Sequence, residues 1–388
     1  MSLPKNATIA AKPFKISIPD LQLDDLWTLI RLSKLPPATY EGTKEEYGVT
    51  SKWMSEMKTY WENDFNWREH ESEINKLPQY TAPVRSKDGK ENTLHFIGIF
   101  STFENAIPLV LLHGWPGSFV EFLDLIPILA ASTSPHFHII VPSLPGYAFS
   151  SAPPLESDFT LQDCAYLVNE LMLGLGLKQY VAQGGDIGSF IAEALAVGYP
   201  ECLGCHVNML QIFSPPPNHP VSTLSLKEKA GVHRGQRFNT TGNAYALEHA
   251  TRPSTIGHIL SSSPLALLAW IGEKLRDWTD ETPPIEKILE IVTLWWFTET
   301  MPRSIYAYRQ IFIEETRNMD GIALTNTKFG YSNFPMELMP VPKVWVETLG
   351  EMVFFRDHDR GGHFAAMEVP ELLADDVKEF VKILINRN

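Results

Sequence analysis

The feature that most constrains the fold of this chain is a short turn that follows an apolar run. Residues 180–189 read YVAQGGDIGS, with Asp186 set between small residues. A strand that turns sharply into a helix needs glycines, because a side chain would obstruct the close approach of the two backbones. Gly184, Gly185 and Gly188 stand at those positions. We therefore predict a buried strand, a tight turn that presents the Asp186 carboxyl, and a helix.

Strand and helix patterns alternate on both sides of this turn. Apolar strand runs and the helical runs between them occur at 93–100, 108–112, 119–129 (helical), 138–142, 161–173 (helical), 179–183, 189–198 (helical) and 203–209. Such alternation predicts a mostly parallel sheet with helices on both faces. Strand patterns resume at 328–334 and 352–355, before a closing helix over 371–385. Together with the turn, this order predicts the α/β-hydrolase fold, in which the turn is the nucleophile elbow.

The same patterns divide the chain into four segments. Residues 1–90 are rich in aromatic residues and helical periodicity, which predicts an N-terminal helical extension packed on the core. Residues 91–213 and 321–388 are predicted to form the two parts of the α/β core. A proline-rich break at 214–217 ends the alternation, and residues 214–320 read as helical with a cluster of tryptophans. We predict that this last segment is a helical lid inserted between core strands.

Composition limits the partners and the location. The net charge is −14 and the pI is about 5.3, which argues against nucleic acid or an anionic membrane as a partner, because both need basic patches. The longest apolar candidate, residues 264–271, is too short to span a membrane, and residues 1–15 lack a signal-peptide pattern. We expect a soluble, cytoplasmic protein. Without a phosphate-cradling loop, a dinucleotide fingerprint or spaced metal ligands in the sequence, we expect no cofactor and no metal.

An aspartate at the centre of the elbow points to a particular chemistry. A hydroxyl group there suits acyl transfer. A carboxylate, which is ionised at neutral pH with a reference pKa near ~4, instead suits backside attack on a strained or activated sp³ carbon. Epoxides or alkyl halides are therefore the favoured substrates. The plain alternative for a Gly-Gly-Asp string is a solvated surface turn, but the preceding strand and the residues described next argue against it.

The catalytic partners of this nucleophile are expected later in the chain, because the fold places nucleophile, acid and histidine in that order. His363 lies in a glycine-rich loop between the last strand and the last helix, where the histidine belongs. Glu337 directly follows the preceding strand and is the preferred acid, with Asp357 and Asp359 as rivals on the histidine's own loop. A metal site formed by Asp357, His358 and His363 is a further alternative, but their spacing fixes no coordination geometry.

The sequence HGWP, which follows the second core strand, predicts another part of the site. The backbone amide of Trp115 can point into the site, and the amide of Ile187 follows the nucleophile. Two such amides make an oxyanion hole. It would act when a general base activates water to attack the Asp186 ester and negative charge gathers on a carboxyl oxygen. Pro116 is a candidate for a cis peptide bond.

Four motifs, HGWPGSF, GGDIGS, FPxEL and RGGHFAA, occur in this order along the chain. With them the chain resembles the microsomal-type epoxide hydrolases, most closely their soluble fungal members, over nearly its whole length. The resemblance implies a nucleophile at Asp186, a base at His363 and an orienting acid at Glu337. It also implies that two lid tyrosines, Tyr245 and Tyr308, donate to the epoxide oxygen. It further implies an epoxide and water as reactants and a homodimer. The fungal members carry an aspartate as the orienting acid, whereas this chain has the glutamate of the microsomal pattern.

The tyrosines also make chemical sense by themselves. Opening an epoxide leaves an alkoxide, and a phenol with a reference pKa near ~10 gives it a proton at neutral pH without adding a charge to the site. Packing within the lid is the alternative role for each tyrosine, and Tyr306 is a rival of Tyr308. The residues expected to contact the substrate are His113, Trp115, Pro116, Tyr245 and Tyr308.

Two other functions compete with epoxide hydrolysis. Haloalkane dehalogenases use the same kind of aspartate, but commonly place a tryptophan directly after it to hold the halide. Ile187 stands at that position here. A non-catalytic relative that acts as a binding protein is the second alternative. Such a protein should have lost a catalytic residue, and all the expected residues are present in the sequence.

Overall fold

A central β-sheet organises the molecule, whose computed structural model describes residues 3–312 and 324–386. Among the described residues, one sheet is formed by the strands Lys12–Phe14 (β1), Gln79–Arg85 (β2), Glu91–Ile99 (β3), Ile107–Leu112 (β4), Phe137–Pro142 (β5), Tyr180–Gly184 (β6), Cys202–Val207 (β7), Leu324–Asn333 (β8) and Gly350–Asp357 (β9). Their order across the sheet is β1-β2-β3-β5-β4-β6-β7-β8-β9. Strands β5, β4, β6, β7, β8 and β9 pair in parallel, and β1 to β3 add antiparallel strands at one edge. The predicted, mostly parallel sheet is confirmed.

Helices cover the sheet and form the lid. Their bounds are Asp20–Leu32 (α1), Ser51–Asn63 (α2), Trp67–Ile74 (α3), Leu125–Ala130 (α4), Leu161–Gly174 (α5), Ile187–Gly198 (α6), Leu226–Arg237 (α7), Ala244–Thr251 (α8), Pro253–Ser261 (α9), Pro264–Asp277 (α10), Ile285–Phe297 (α11), Thr300–Ser304 (α12), Ala307–Phe312 (α13), Lys343–Val346 (α14), Ala365–Glu368 (α15) and Pro370–Asn386 (α16). Helices α5 and α6 pack together on the sheet, and α4 packs with α16.

The centre of the sheet is apolar because its strands are covered on both faces. Strand β4 carries an unbroken apolar run whose last four residues, Leu109, Val110, Leu111 and Leu112, are fully buried. Such a run is typical of a parallel strand between two layers of helices. Helix α6 is likewise buried along most of its length, because it packs against both the sheet and α5. The elbow between β6 and α6 is thus held by buried elements on each side.

Two details of local structure differ from the sequence patterns. The predicted N-terminal helical region is present as α1 to α3, but residues 1–90 also contain β1 and β2, which join the sheet. Pro83 within the β2 sequence disguises that strand. It is tolerated because β1 pairs only with residues 79–81 of β2, so no hydrogen bond to this partner is lost at Pro83. The single helix predicted at 119–129 is instead a short 3₁₀ turn at Phe119–Phe122 followed by α4.

The N-terminal segment packs against the lid. The Trp53 indole on α2 fits against Gly272 on α10, where an added Cβ would lie 2.6 Å from the ring. His70 on α3 contacts the carboxylate of Glu290 on α11, with 2.8 Å between Nδ1 and Oε2. The Tyr60 hydroxyl donates to Glu286 on α11 at 2.5 Å. These contacts make α2 and α3 a brace behind the lid helices α10 and α11.

Two arginines attach the lid to the core. Arg303 on α12 donates to the carbonyl oxygens of Ala148 and Ser150, at 3.1 and 3.3 Å. Arg234 on α7 donates to the carbonyl oxygens of Met336 and Glu337, at 2.9 and 2.7 Å. The second contact is important for the site, because it holds the loop that carries the predicted acid. The predicted end of the lid at residue 320 lies outside the described residues.

Within residues 3–312 and 324–386, no single helix is long and apolar enough to cross a membrane. Helices α9 and α10 reach that apolarity only as a pair, and the pair is bent by 116°.

Candidate active site

The turn around Asp186 has the geometry of a nucleophile elbow. Asp186 adopts φ 51° and ψ −130°, a left-handed conformation that costs a non-glycine residue on the order of 1–3 kcal/mol. Glycines allow the close approach that the turn needs. A Cβ at Gly184 would lie 2.1 Å from the carbonyl oxygen of Gly188, and one at Gly188 would lie 2.1 Å from that of Leu112. The backbone is therefore strained at Asp186, the residue that the turn between β6 and α6 presents to the site.

The Asp186 carboxylate sits between two partners. Its Oδ1 accepts a hydrogen bond from the Trp115 amide at 2.8 Å, and its Oδ2 lies 3.3 Å from Nε2 of His363. Asp186 also occupies the N-cap position of α6, without a capping hydrogen bond from its side chain, and the helix dipole there favours a negative charge. The Trp115–Pro116 peptide bond is cis, as predicted for Pro116. The amide of Ile187 as a second oxyanion donor stays a prediction.

His363 is held by a buried carboxylate. Its Nδ1 lies 2.6 Å from Oε1 of Glu337, which also accepts from the Leu338 amide at 2.6 Å. This pairing leaves Nε2 as the nitrogen that faces Asp186. Burial alone would lower the pKa of His363. The charge of Glu337, the side-chain contacts with Asp186 and Glu337, and the charge of Asp186 together raise it well above its usual value.

The rival acids lie elsewhere. Asp357 and Asp359 both contact Lys227, at 2.8 and 2.9 Å. His358 contacts the buried Asp376, with 2.6 Å between Nε2 and Oδ2. The acidic residues next to His363 in sequence therefore contact a lid lysine. The carboxylate that contacts His363 is instead that of Glu337, which follows the neighbouring strand β8.

The lid helps to position the His363 loop. The amide of His363 donates to the carbonyl oxygen of Trp278 at 2.9 Å, and the two side-chain rings meet edge to face at 5.1 Å. The Gly361 amide donates to Asp280 at 2.9 Å, and the Asp280 amide donates to Glu368 at 2.6 Å. The segment after α10 therefore forms one layer of contacts over the histidine loop.

The two predicted lid tyrosines lie together above the elbow. Tyr245 on α8 stacks on the Trp115 indole, with ring centroids 5.1 Å apart and planes 12° apart. Tyr308 on α13 meets Tyr245 edge to face at 5.8 Å. Burial first, and the charge of Asp186 further, raise the pKa of both phenols well above the usual value. Both are therefore protonated, and able to donate, at neutral pH.

These tyrosines line a small cavity between lid and core. It has a volume of about 30 Å³ and is bounded by Asp186, both phenols and mostly apolar side chains such as Phe190 and Phe238. We call it the lid-side cavity. Tyr306 does not line it. Its ring packs on Phe159 at 5.1 Å, and its hydroxyl has no hydrogen-bond partner among the described residues.

The predicted substrate contact at His113 is not supported by its surroundings. Its Nε2 accepts from the Leu144 amide at 3.1 Å, and its Nδ1 lies 3.1 Å from the carbonyl oxygen of Gly114. Burial lowers the pKa of His113 to about 4, so the ring is neutral. Both nitrogens are engaged with backbone, and the side chain braces the turn that presents the Trp115 amide. A substrate contact of His113 stays a prediction.

Sequence reasoning missed three residues beside the site. Trp278 was only one of the cluster of tryptophans in residues 214–320, and its carbonyl contact with His363 left no sequence signal. Glu121 and Gln183 line a second cavity beside Asp186, with a volume of about 20 Å³. The available signal was a polar residue inside an apolar run, in VEF at 120–122 and in VAQG at 181–184.

Two protein-family models match this chain. A family model described as "Epoxide hydrolase N terminus" matches residues 11–122, and one described as "alpha/beta hydrolase fold" matches residues 107–270. A solved structure of Aspergillus niger epoxide hydrolase superposes with a TM-score of 0.93 at 47% identity and covers 99% of both chains.

Two curated sequences extend the match. A Dothistroma septosporum protein named "Putative epoxide hydrolase" is 42% identical over 100% of this chain and 93% of its own length. "Epoxide hydrolase 1" of Sus scrofa is 30% identical over 96% of this chain and 89% of its own length. Fold and site define an α/β hydrolase with an aspartate at its elbow. The chain belongs to the epoxide hydrolase family.

Proposed function

We propose that the protein hydrolyses epoxides to vicinal diols through a covalent ester of Asp186. The observation that carries this proposal is the surroundings of one carboxylate. Two buried phenols line the same cavity as Asp186. The imidazole of His363 contacts Oδ2 of Asp186 with one nitrogen and Glu337 with the other. Epoxide opening needs a nucleophile and a proton donor, and ester hydrolysis needs a base for water. All of these groups converge on Asp186.

The first step forms the ester. An oxygen of Asp186 attacks an epoxide carbon from behind, so that a carboxylate C–O bond forms and a ring C–O bond breaks. The ring oxygen takes the proton of the Tyr245 or Tyr308 phenol, which becomes a phenolate. Esterification removes the negative charge of Asp186, which is one cause of the raised pKa of both phenols. Proton transfer therefore becomes easier as the bond forms.

The second step breaks the ester. His363 takes a proton from water, and the hydroxide adds to Cγ of Asp186, whose carboxyl oxygen is held by the Trp115 amide. The intermediate collapses with cleavage of the Cγ–O bond to the substrate carbon chain, and the leaving diol oxygen takes the proton from His363. The carboxylic acid proton left on Asp186 returns to the phenolate. The sum is one epoxide and one water converted to one diol.

The pKa of His363 changes between the two steps in the direction that ester hydrolysis requires. In the free protein the carboxylates of Glu337 and Asp186 raise the pKa of His363. Esterification removes the Asp186 charge and leaves that of Glu337. The pKa of His363 then falls, which favours the neutral imidazole that can accept a proton from water.

Haloalkane dehalogenation is the second candidate, because the same carboxylate could displace a halide. A halide leaving group needs hydrogen-bond donors but no proton. The residue after the nucleophile is Ile187, whose side chain cannot donate. Paired phenols suit an alkoxide leaving group better, because an alkoxide is basic and must be protonated.

Product analysis tests the proposal. Purified protein should convert styrene oxide or an aliphatic terminal epoxide to the diol, and should release no halide from 1-chlorobutane or 1,2-dibromoethane. Asp186→Asn, prepared and assayed without delay, is the matched control and should form no diol. Halide release that requires Asp186, without diol formation, would establish the dehalogenase instead. A protein that turns over neither class would contradict both enzymatic readings.

A further inference from the structure

A second cavity reaches Asp186 from within the core. It has a volume of about 20 Å³, and all its described lining residues belong to the α/β core, including Glu121, Gln183 and His363. We call it the core-side cavity. One water molecule needs about 10–15 Å³ of cavity volume measured in this way, together with two to four polar partners. The size of the core-side cavity therefore matches a single water molecule.

Four residues that line this cavity carry a buried polar atom with no hydrogen-bond partner among the described residues. One is Nε1 of Trp115, on an indole that stacks against Tyr245 of the lid. The other three are Oε1 of Glu121, Oε1 of Gln183 and Nε2 of His363. The contact of 3.3 Å between His363 and Asp186 is close, but it lacks the alignment of a hydrogen bond. Buried polar atoms are nearly always paired with protein or water. Three such atoms around one water-sized cavity point to a common partner.

The chain makes specific room for the Glu121 carboxyl. A Cβ built on Gly117 would lie 1.0 Å from Oε1 of Glu121, so any side chain at position 117 would displace this carboxyl. Glu121 is itself in a short 3₁₀ turn whose four residues are all buried. The absence of a side chain at Gly117 and the presence of a carboxyl at Glu121 thus depend on each other.

Gln183 is fixed in a similar way. It lies in β6 one residue before Gly184, and its Nε2 donates to Oδ1 of Asn208 at 2.9 Å. That bond commits the nitrogen of the amide and leaves Oε1 as an acceptor. The strand that carries the elbow therefore also carries an acceptor beside the nucleophile.

We propose that Glu121 and Gln183, together with His363, bind the water molecule that hydrolyses the Asp186 ester. His363 Nε2 and Gln183 Oε1 accept the two hydrogens of this water, and the Glu121 carboxyl donates to one of its lone pairs. The remaining lone pair is then free to attack Cγ of Asp186. Glu121 and Gln183 are water-positioning residues in this scheme, which rests on the proposed function and deepens its second step.

The electrostatics of Glu121 agree with a donor role. Burial raises the pKa of Glu121 to about 8; the charge of His363 opposes the rise, and the charge of Asp186 adds to it. The Ser118 amide and the charge of Lys287 favour the ionised form more weakly. At neutral pH the carboxyl is therefore mostly protonated. A neutral acid can donate to water without setting a second fixed charge beside the nucleophile.

The test separates ester formation from ester hydrolysis by rapid-quench kinetics and mass spectrometry with an excess of styrene oxide. Glu121→Met removes the polar group and keeps the size, and should slow ester hydrolysis about 10²-fold, the typical loss when a reacting group is misplaced by about 1 Å. Ester formation should keep its rate, so the ester accumulates. Glu121→Gln retains a donor and should stay close to the unsubstituted protein.

Glu193 provides a matched control. It is also a buried glutamate with a pKa raised by burial to about 8, but it is not among the described residues that line either cavity. Glu193→Met should leave the ratio of the two rates unchanged, even if it lowers stability. A selective loss of ester hydrolysis in this control as well would show a general response to core disruption and overturn the proposal.

Three other results would contradict the water site or the proposed function. Unchanged ester hydrolysis in Glu121→Met, or an equal loss in both steps, would overturn the assignment of Glu121. If this variant does not fold, Gln183→Leu carries the test, with the same selective loss expected and unchanged hydrolysis counting against the proposal. If no ester forms in any variant, including His363→Gln, the proposed function itself fails rather than the water site.

Discussion

The two cavities that meet at Asp186 differ in the elements that build them. The lid-side cavity is mostly apolar and depends on Tyr245 and Tyr308, which are carried by lid helices. The core-side cavity is lined by core residues and holds His363 with two further polar side chains. The Asp186 carboxylate thus lines both cavities, one formed partly by the lid and one formed by the α/β core.

This difference suggests a division of labour. In the proposed mechanism, Asp186 attacks an epoxide within the apolar cavity and a phenol protonates the epoxide oxygen, whereas water must be held and deprotonated. The contrast therefore predicts that substitutions in the lid affect ester formation, and that substitutions around the core-side cavity affect ester hydrolysis. Separate measurement of the two rates in the same variants tests whether the two cavities serve different steps.

The largest effect is expected for His363→Gln. Attack by Asp186 needs no base, but hydrolysis of the ester does, so the ester should form and persist. Steady-state diol formation should fall by at least ~10⁴-fold, as in other enzymes that lose a member of a catalytic unit. Intact-protein mass spectrometry should show one added substrate mass after exposure to a good epoxide.

His358 offers a control for this substitution. It is a buried histidine on the same loop, but it contacts Asp376 rather than the site. His358→Gln should form no lasting adduct. If His363→Gln also stayed unmodified at high epoxide concentration, His363 would not be the residue that activates water.

A smaller, step-specific effect is expected for the lid tyrosines. Tyr245→Phe and Tyr308→Phe each leave one donor, so ester formation should slow by ~10²-fold or less, the scale of general acid catalysis. The double variant should lose nearly all ester formation. Ester hydrolysis, once an ester is present, should change little, and stopped-flow measurement of the intrinsic tryptophan fluorescence can follow both phases.

Tyr306→Phe is the matched control, because this tyrosine packs on Phe159 away from the lid-side cavity. It should keep the normal rate of ester formation. Normal ester formation in the Tyr245→Phe/Tyr308→Phe double variant would return both residues to a packing role and transfer the donor role to water or Tyr306.

The smallest effect is expected at the brace behind the lid. Burial opposes ionisation of Glu290, but the His70 contact and the Lys287 charge together lower its pKa below the usual value. The resulting stabilisation is present above the unfolded pKa near ~4.3 and is lost as pH falls through the folded value. Glu290→Gln should therefore cost about 1–3 kcal/mol of stability at neutral pH, and less in acid.

Thermal unfolding at several pH values measures this loss. Glu56→Gln is a suitable control, since Glu56 and Lys52 form an exposed pair on α2 that is worth little. An equal shift in both variants, or a Glu290→Gln shift that grows as pH falls below 4, would contradict the role of the brace.

The sequence allowed the sheet and the three residues around the elbow to be located. Glycine spacing predicted the turn at Asp186, and the order of strands predicted that Glu337 and His363 would follow at neighbouring strand ends. The structure brings these three side chains together because the carboxyl ends of β6, β8 and β9 lie at one edge of the sheet. Local patterns and chain order carry this information.

Other features depend on contacts between distant segments. Strand β2 was hidden by Pro83, whose tolerance depends on the short pairing of β1. The roles of Gly117 and Glu121 become visible only when their atoms are found to occupy one space. The surroundings of His113 likewise depend on the folded chain, because both of its ring nitrogens contact backbone groups.

The proposed mechanism requires a covalent ester of Asp186 whose carbonyl carbon is attacked by water. A single turnover in ¹⁸O-labelled water, with protein in excess over styrene oxide, distinguishes this route from direct attack of water on the epoxide. We predict that the first diol carries no label and that peptide mass spectrometry finds ¹⁸O in the Asp186 carboxylate. Label in the diol from the first turnover, with an unlabelled Asp186, would mean that water attacks the epoxide directly and would contradict the account.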